Sequence, residues 1–204
     1  MATYDEVRDK LDTGDIVLFS GKGLISMGLK IGSLCTWSHV AMVVRVKEPD
    51  VALLYQTTPV CKAKDFFEGV LKNGVQVNVM SEAVNGYNGK VAVRHLSVVR
   101  TPEMLNALSR FRQEVRNRPY EEHIIQMVKA VWDGPLGHVE EDLSSLFCSE
   151  LVAEAYQRMG LLPSNESGGS PCSEYTPKNF STEGGGIELL LGATLGKEIV
   201  IREG

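Results

Sequence analysis

The pattern of apolar and polar positions changes period once along the chain. Before Thr101, short apolar runs are separated by Gly, Asn, Pro and Asp turns; after it, the runs lengthen and take a helical spacing. Residues 4–12 predict a short helix leading into Thr13-Gly14-Asp15, a turn signal before the strand Ile16–Phe19. In Gly21–Gly32, Leu24, Ile25, Leu29 and Ile31 suit a short helix that the interleaved glycines weaken. His39–Val46 is apolar and β-branched, and Lys47-Glu48-Pro49-Asp50 closes it like a hairpin turn, with Val51–Thr57 as the partner strand. In Val75–Met80, the valines at 75, 77 and 79 alternate with Gln76, Asn78 and Met80. Val91–Leu96 follows the Asn85-Gly86 and Asn88-Gly89 turns.

Thr101 is a natural N-cap with Pro102 at the first helical position, and an amphipathic pattern runs from there to about Arg116. A second helix is expected over Glu122–Trp132 and a third from about Phe147 to Met159, stopped by Gly160. Residues 163–186, rich in Ser, Gly, Pro and Asn, read as a long surface loop, and Glu198–Arg202 as a final edge strand. The order is sheet, then helices, then one last strand. That predicts an α+β fold rather than a doubly wound one, built as a single domain over residues 1–204 with no internal repeat.

Composition narrows the classes of function. Lys and Arg number 21 against 26 Asp and Glu, giving a formal charge of −5. With no basic stripe, nucleic acid is excluded as a partner. Cys35, Cys61, Cys148 and Cys172 are too few and too unevenly placed for a disulfide framework. The charged amino terminus lacks the apolar core of a secretory signal, and neither end carries a lipidation motif. The longest apolar clusters fall far short of the roughly 20 residues of a membrane helix. A cytoplasmic protein with free thiols and no integral membrane segment is expected.

The candidate chemistry centres on Phe147-Cys148-Ser149-Glu150-Leu151-Val152. It places Cys148 at the start of the third expected helix, where free N–H groups and the helix dipole favour the thiolate. The same groups suit the oxyanion of a tetrahedral intermediate. A cysteine nucleophile needs a base, and His39 opens an apolar strand where its ring would stand at the rim of the sheet. Gln56, on the paired strand, is placed to hold the far ring nitrogen of His39, with Tyr55 pointing to the opposite face. His95, His123 and His138 lack such a setting. The sequence has no CxxC, HxxxH or HExxH spacing, so no metal is expected, and Gly21-Lys22-Gly23 does not complete a phosphate loop.

Three stretches, Thr13-Gly14-Asp15-Ile16-Val17-Leu18-Phe19, Ser38-His39-Val40-Ala41-Met42-Val43 and Phe147-Cys148-Ser149-Glu150-Leu151-Val152, resemble a known family. It is the circularly permuted NlpC-like papain-fold cysteine peptidases and amidases, to which the lecithin retinol acyltransferase-like enzymes are related. Arg118-Pro119-Tyr120 looks like that family's Pro-Tyr element, and Tyr175-Thr176-Pro177 like its loop after the cysteine helix. The likeness spans roughly residues 10–180. It implies an antiparallel sheet packed against helices, with the nucleophile at a helix amino terminus and the histidine ahead of the cysteine in the chain.

By that resemblance Cys148 is the nucleophile, His39 the general base and acid, and Gln56 the third member, where many relatives use a carboxylate. Tyr120, Tyr55 and Ser38 are the expected substrate-binding residues. The implied activity is cofactor-free hydrolysis of an amide through a thioester, on a small peptide or amino-acid amide. The alternatives are a lipid acyltransferase or thiol phospholipase acting on an acyl-lipid, with Gly23–Ile31 touching the lipid, and a catalytically idle binding module.

Overall fold

The computed structural model describes residues 2–21, 35–58, 63–116 and 139–203, with 139–147 described as main chain. Residues 22–32 of the expected helix over 21–32, the helix over 122–132, the lipid contact at 23–31, Cys61 and Tyr120 lie outside the described residues, and Gly21 ends a strand. Helix α1 (Tyr4–Arg8) opens on a reciprocal cap: Glu6 N–H donates to Thr3 Oγ1 at 3.4 Å, and Thr3 N–H donates to Glu6 Oε2 at 2.7 Å. Strands β1 (Ile16–Gly21), β2 (His39–Lys47), β3 (Asp50–Thr58) and β4 (Gly74–Val79) follow. Helix α2 (Met80–Gly86) leads to β5 (Gly89–Arg94), and β6 (Leu96–Ser97) precedes helix α3 (Pro102–Val115). Helix α4 (Val139–Arg158), β7 (Thr194–Leu195) and β8 (Ile199–Arg202) complete the described elements.

The main sheet is six-stranded in the order β4-β3-β2-β1-β5-β8, every neighbouring pair antiparallel, and β6 pairs with β7 beside it. Both faces of the sheet are covered. Val40, Met42, Leu53, Tyr55, Val75 and Val77 pack with Leu108 and Phe111 of α3 and Cys148, Val152 and Tyr156 of α4. Ala41, Val43, Leu54 and Phe19 form a second core with Val7 of α1 and Met80 and Val84 of α2. The fold is therefore α+β, with an antiparallel sheet between helices.

The Thr13-Gly14-Asp15 turn locks these layers together. Gly14 has φ +94°, and a Cβ there would stand 2.8 Å from Leu96 Cδ2, so glycine is required. Tyr156 Oη donates to Gly14 O at 2.6 Å, tying α4 to the start of β1. Asp15, 1% exposed, accepts from Leu96 N–H at 2.9 Å and from Arg100 Nη2 at 2.9 Å, and lies 2.7 Å from His95 Nδ1. Helix α3 is capped by Thr101, whose hydroxyl accepts from Met104 N–H at 3.3 Å, with Pro102 first in the helix. Helix α4 stops at Gly160, φ +73°, where Leu161 N–H reaches Tyr156 O at 2.8 Å and Gly160 N–H reaches Gln157 O at 2.9 Å.

Two expectations need correction. The segment 80–86 is a helix where the Asn85-Gly86 turn was expected, because Met80 and Val84, one helical turn apart, are buried together under the sheet. Helix α4 begins at Val139 and not near Phe147, so Cys148 stands inside the helix rather than at its amino terminus. In a helix interior the N–H groups are spent on carbonyls one turn back. The unpaired N–H groups and the dipole that were to activate Cys148 belong to a turn of chain well upstream. The acidic run Glu140-Glu141-Asp142 suits the amino-terminal part of a helix and lies upstream of Cys148.

Candidate functional site

The candidate site forms where β2 and β3 part. Alternate N–H groups along a central strand serve its two neighbours. The register between β2 and β3 ends at Met42↔Tyr55. Val40 N–H, the next donor on that side of β2, turns instead to Cys148 Sγ at 3.5 Å. A side chain of α4 thus takes the place of a ladder carbonyl, and the thiol is held one residue along the chain from His39.

Across the same opening His39 Nε2 lies 2.8 Å from Gln56 Oε1. Gln56 Nε2 donates to Asn78 Oδ1 at 2.8 Å, and Asn78 Nδ2 donates to the main-chain carbonyl of Lys64 at 3.2 Å. This chain has only one consistent direction. A main-chain carbonyl can only accept, so Asn78 must present its amide nitrogen there and its oxygen to Gln56. Gln56 must then present nitrogen to Asn78 and oxygen to the ring. The proton consequently sits on Nε2 of His39, and Nδ1 is left as the basic nitrogen.

Electrostatics set the resting state. Burial pushes the Cys148 thiol up to about 12, against the pull of the Val40 and Ser149 main-chain N–H groups. Burial also holds His39 below the ordinary imidazole value, which its bond to Gln56 only partly offsets. Both groups are neutral at pH 7, so no thiolate–imidazolium pair pre-exists. Activation here would require the proton to leave Sγ as the new bond forms.

His39 and Gln56 are thus brought into direct contact, and Cys148 reaches the neighbouring peptide. The His39 ring packs at 5.5 Å from Phe19 on the α1/α2 side of the sheet, whereas Cys148 belongs to the core on the α3/α4 side. The Val40 main chain runs between them. Tyr55 does lie on the face opposite Gln56: it meets Phe111 edge-on at 6.4 Å and sits under Arg112. Ser38 is buried and its hydroxyl donates to Phe19 O at 3.4 Å, a contact inside the sheet. Tyr120 lies outside the described residues.

Sequence reasoning missed Asn78, which is 1% exposed and orients Gln56. Its signal was present: Gln76 and Asn78 are the polar members of an alternating strand, and both are buried. Ser149 ties α4 to the 163–186 loop by donating to Tyr175 O at 2.5 Å. Cys35, Cys148 and Cys172 form no disulfide, and among the described residues no three His, Cys, Asp or Glu side chains gather closely enough to hold a metal ion. Among the same residues no helix is long and apolar enough to cross a membrane.

No family model and no curated protein matches the chain. Among solved structures it is similar to the metalloprotein YiiX of Escherichia coli O157:H7, at 18% identity and a TM-score of 0.47. The match covers 72% of this chain and 66% of that one, just under two thirds of the YiiX chain.

Proposed function

We propose that this protein is a cysteine hydrolase that cleaves an amide through a thioester, in a permuted NlpC-like papain-type domain. The observation that carries the reading is the directional chain from the Lys64 carbonyl through Asn78 and Gln56 to His39. It keeps Nδ1 of His39 unprotonated one residue from the peptide that holds Cys148 Sγ. Cys148 Sγ attacks the amide carbonyl, and its proton passes to His39 once the ring turns past the Val40 main chain that separates the two at rest. The tetrahedral intermediate collapses with cleavage of the C–N bond, and His39 returns the proton to the departing amine. Water then adds to the thioester, the C–S bond breaks, and the acid product leaves with the thiol restored. Gln56 orients the ring without charge, so it supports imidazolium less than a carboxylate would.

A second reading is favoured by the buried neutral thiol and by the main chain that separates it from the imidazole: a binding module with an idle cysteine. Labelling with an acyl-directed thiol probe separates the two. The hydrolase reading expects labelling mapped to the Cys148 peptide in the wild type, none at that site in Cys148→Ala and a strong loss there in His39→Ala. Equal labelling of Cys148→Ala refutes the nucleophile. Equal labelling of wild type and His39→Ala refutes the base, and no labelling at Cys148 in either leaves the idle module.

A further inference from the structure

On the α3/α4 side of the sheet, a cleft of about 180 Å³ opens between β4 and α3, lined among others by Tyr55, Phe67, Lys72, Val75, Arg112 and Arg116. Its charges are unevenly committed. Lys72 Nζ lies 2.6 Å from Glu68 Oε1 and 3.4 Å from Asp65 Oδ2, and Arg116 Nε lies 2.8 Å from Glu68 Oε1. Asp65 is further occupied by the N–H groups of Val77, Phe67 and Glu68. The two acids are thus matched by Lys72 and Arg116. Arg112 is the cation left over.

The guanidinium of Arg112 lies between two rings, 5.1 Å from the centre of Phe67 and 5.8 Å from that of Tyr55. Among the described residues it makes no hydrogen bond or ion pair, and its Nε is buried with no acceptor. A buried donor without a partner is costly, and a guanidinium carries a planar fork of donors. Both are cation–π contacts to ring faces, which occupy the guanidinium without using its N–H donors.

We propose that this cleft is a carboxylate-binding site, in which Arg112 donates two N–H groups to one carboxylate of a small ligand. A carboxylate matches a planar fork in geometry and a single uncommitted cation in charge. A phosphate dianion would need more donors, and it would meet Asp65 and Glu68 at the wall of the cleft. The cleft shares Tyr55 with the core that holds Cys148. If the hydrolase reading holds, and this step alone rests on it, the substrate carries a free carboxylate, as a peptide carboxyl terminus or an N-acyl amino acid does.

The test is an NMR titration of the arginine Nε–H signals in Cys148→Ala protein, which cannot turn over, so the outcome is independent of the thioester chemistry. Acetate, N-acetylglycine and inorganic phosphate are compared at matched ionic strength with chloride. One Nε–H signal, missing in Arg112→Met and Arg112→Lys, is expected to shift saturably with both carboxylates and little with phosphate. Arg112→Met is expected to weaken carboxylate binding by about tenfold or more, the usual effect of losing a charge-assisted pair. A shift that only follows ionic strength overturns the site, as does saturation by phosphate in preference to carboxylate. Undiminished carboxylate binding in Arg112→Met, followed on backbone amides, assigns the ion to Lys72 or Arg116 and overturns it too. Should both variants fail to fold, saturability in the Cys148→Ala parent still decides.

Discussion

Replacing Gln56 with glutamate installs the carboxylate that the family resemblance leads one to expect, and the structure predicts that it harms the fold. The new oxygen replaces Nε2 and faces Asn78 Oδ1 across 2.8 Å. Asn78 cannot turn its nitrogen toward it without facing the Lys64 carbonyl, 3.2 Å away, with an oxygen. The variant loses one hydrogen bond, about 1 kcal/mol, and abuts two acceptors at a buried position, a further ~1–3 kcal/mol. Against this, a carboxylate beside Nε2 favours imidazolium by roughly 1–3 pK units. That gain raises the folded pKa of His39 relative to wild type, so it is present at low pH and fades as pH rises through the new value. At pH 8 only the penalty remains. Gln56→Glu should be about 2–4 kcal/mol less stable there, a fall in Tm of about 4–16 °C for a chain of this size. The deficit should narrow by about pH 6. Calorimetry across this pH range, with an NMR titration of the His39 ring, provides the assay. A variant as stable as wild type at pH 8, or a deficit that widens on acidification, would refute the directional chain.

Other perturbations follow from the same contacts. Because burial holds His39 below its ordinary value, the folded state refuses a proton that the unfolded chain accepts. Wild-type stability should therefore fall as pH drops below about 6.5, and His39→Asn should flatten that part of the Tm–pH profile; unchanged slopes would rule this out. With its thiol pushed up to about 12, Cys148 is ionised to only about 10⁻⁵ at pH 7. Iodoacetamide at pH 8 should accordingly alkylate the partly exposed Cys172 well before Cys148, and peptide mapping that finds Cys148 first would show a thiolate the geometry lacks. Gly14→Ala adds a Cβ 2.8 Å from Leu96 Cδ2 at φ +94°, and should cost about 1–3 kcal/mol of stability by denaturant titration; no measurable loss would contradict the strain.

Much of the fold was legible because its boundaries are set locally. Thr101-Pro102 and Gly160 announce the ends of α3 and α4 through caps that need only neighbouring residues. The apolar runs at 39–46 and 51–57 lack a two-residue alternation, and the structure gives the reason: Val40 to Val44 are buried on both faces of the sheet. Burial on both sides removes the polar half of the pattern, so strand identity was readable while facing was not. Helix α2 was hidden for the opposite reason. Asn85-Gly86 carries a turn signal, but Met80 and Val84 gain a core only once α2 lies under the sheet, a tertiary preference no local window contains.

The site was legible as a list and illegible as a geometry. His39 and Gln56 could be paired because adjacent antiparallel strands bring rim residues of similar depth together. The partner that gives Gln56 its direction, Asn78, needed the third strand and the Lys64 carbonyl, whose approach depends on the chain between β3 and β4. Cys148 shows why residue type alone misleads about reactivity. A cysteine preceded by Phe147 and followed by Ser149 and Glu150 reads as a helix start, yet the helix runs back to Val139 and the sulfur is wholly buried. A thiol in that setting stays protonated, and the proposed reading needs a base for it; the directional chain leaves Nδ1 of His39 unprotonated, on the other side of the Val40 main chain. Amide in place of acid at position 56 is then consistent rather than defective. A neutral relay anchored on a carbonyl fixes the tautomer of a neutral imidazole, whereas a carboxylate there would favour the imidazolium, which in the proposed reading has no lone pair for the proton of a neutral thiol.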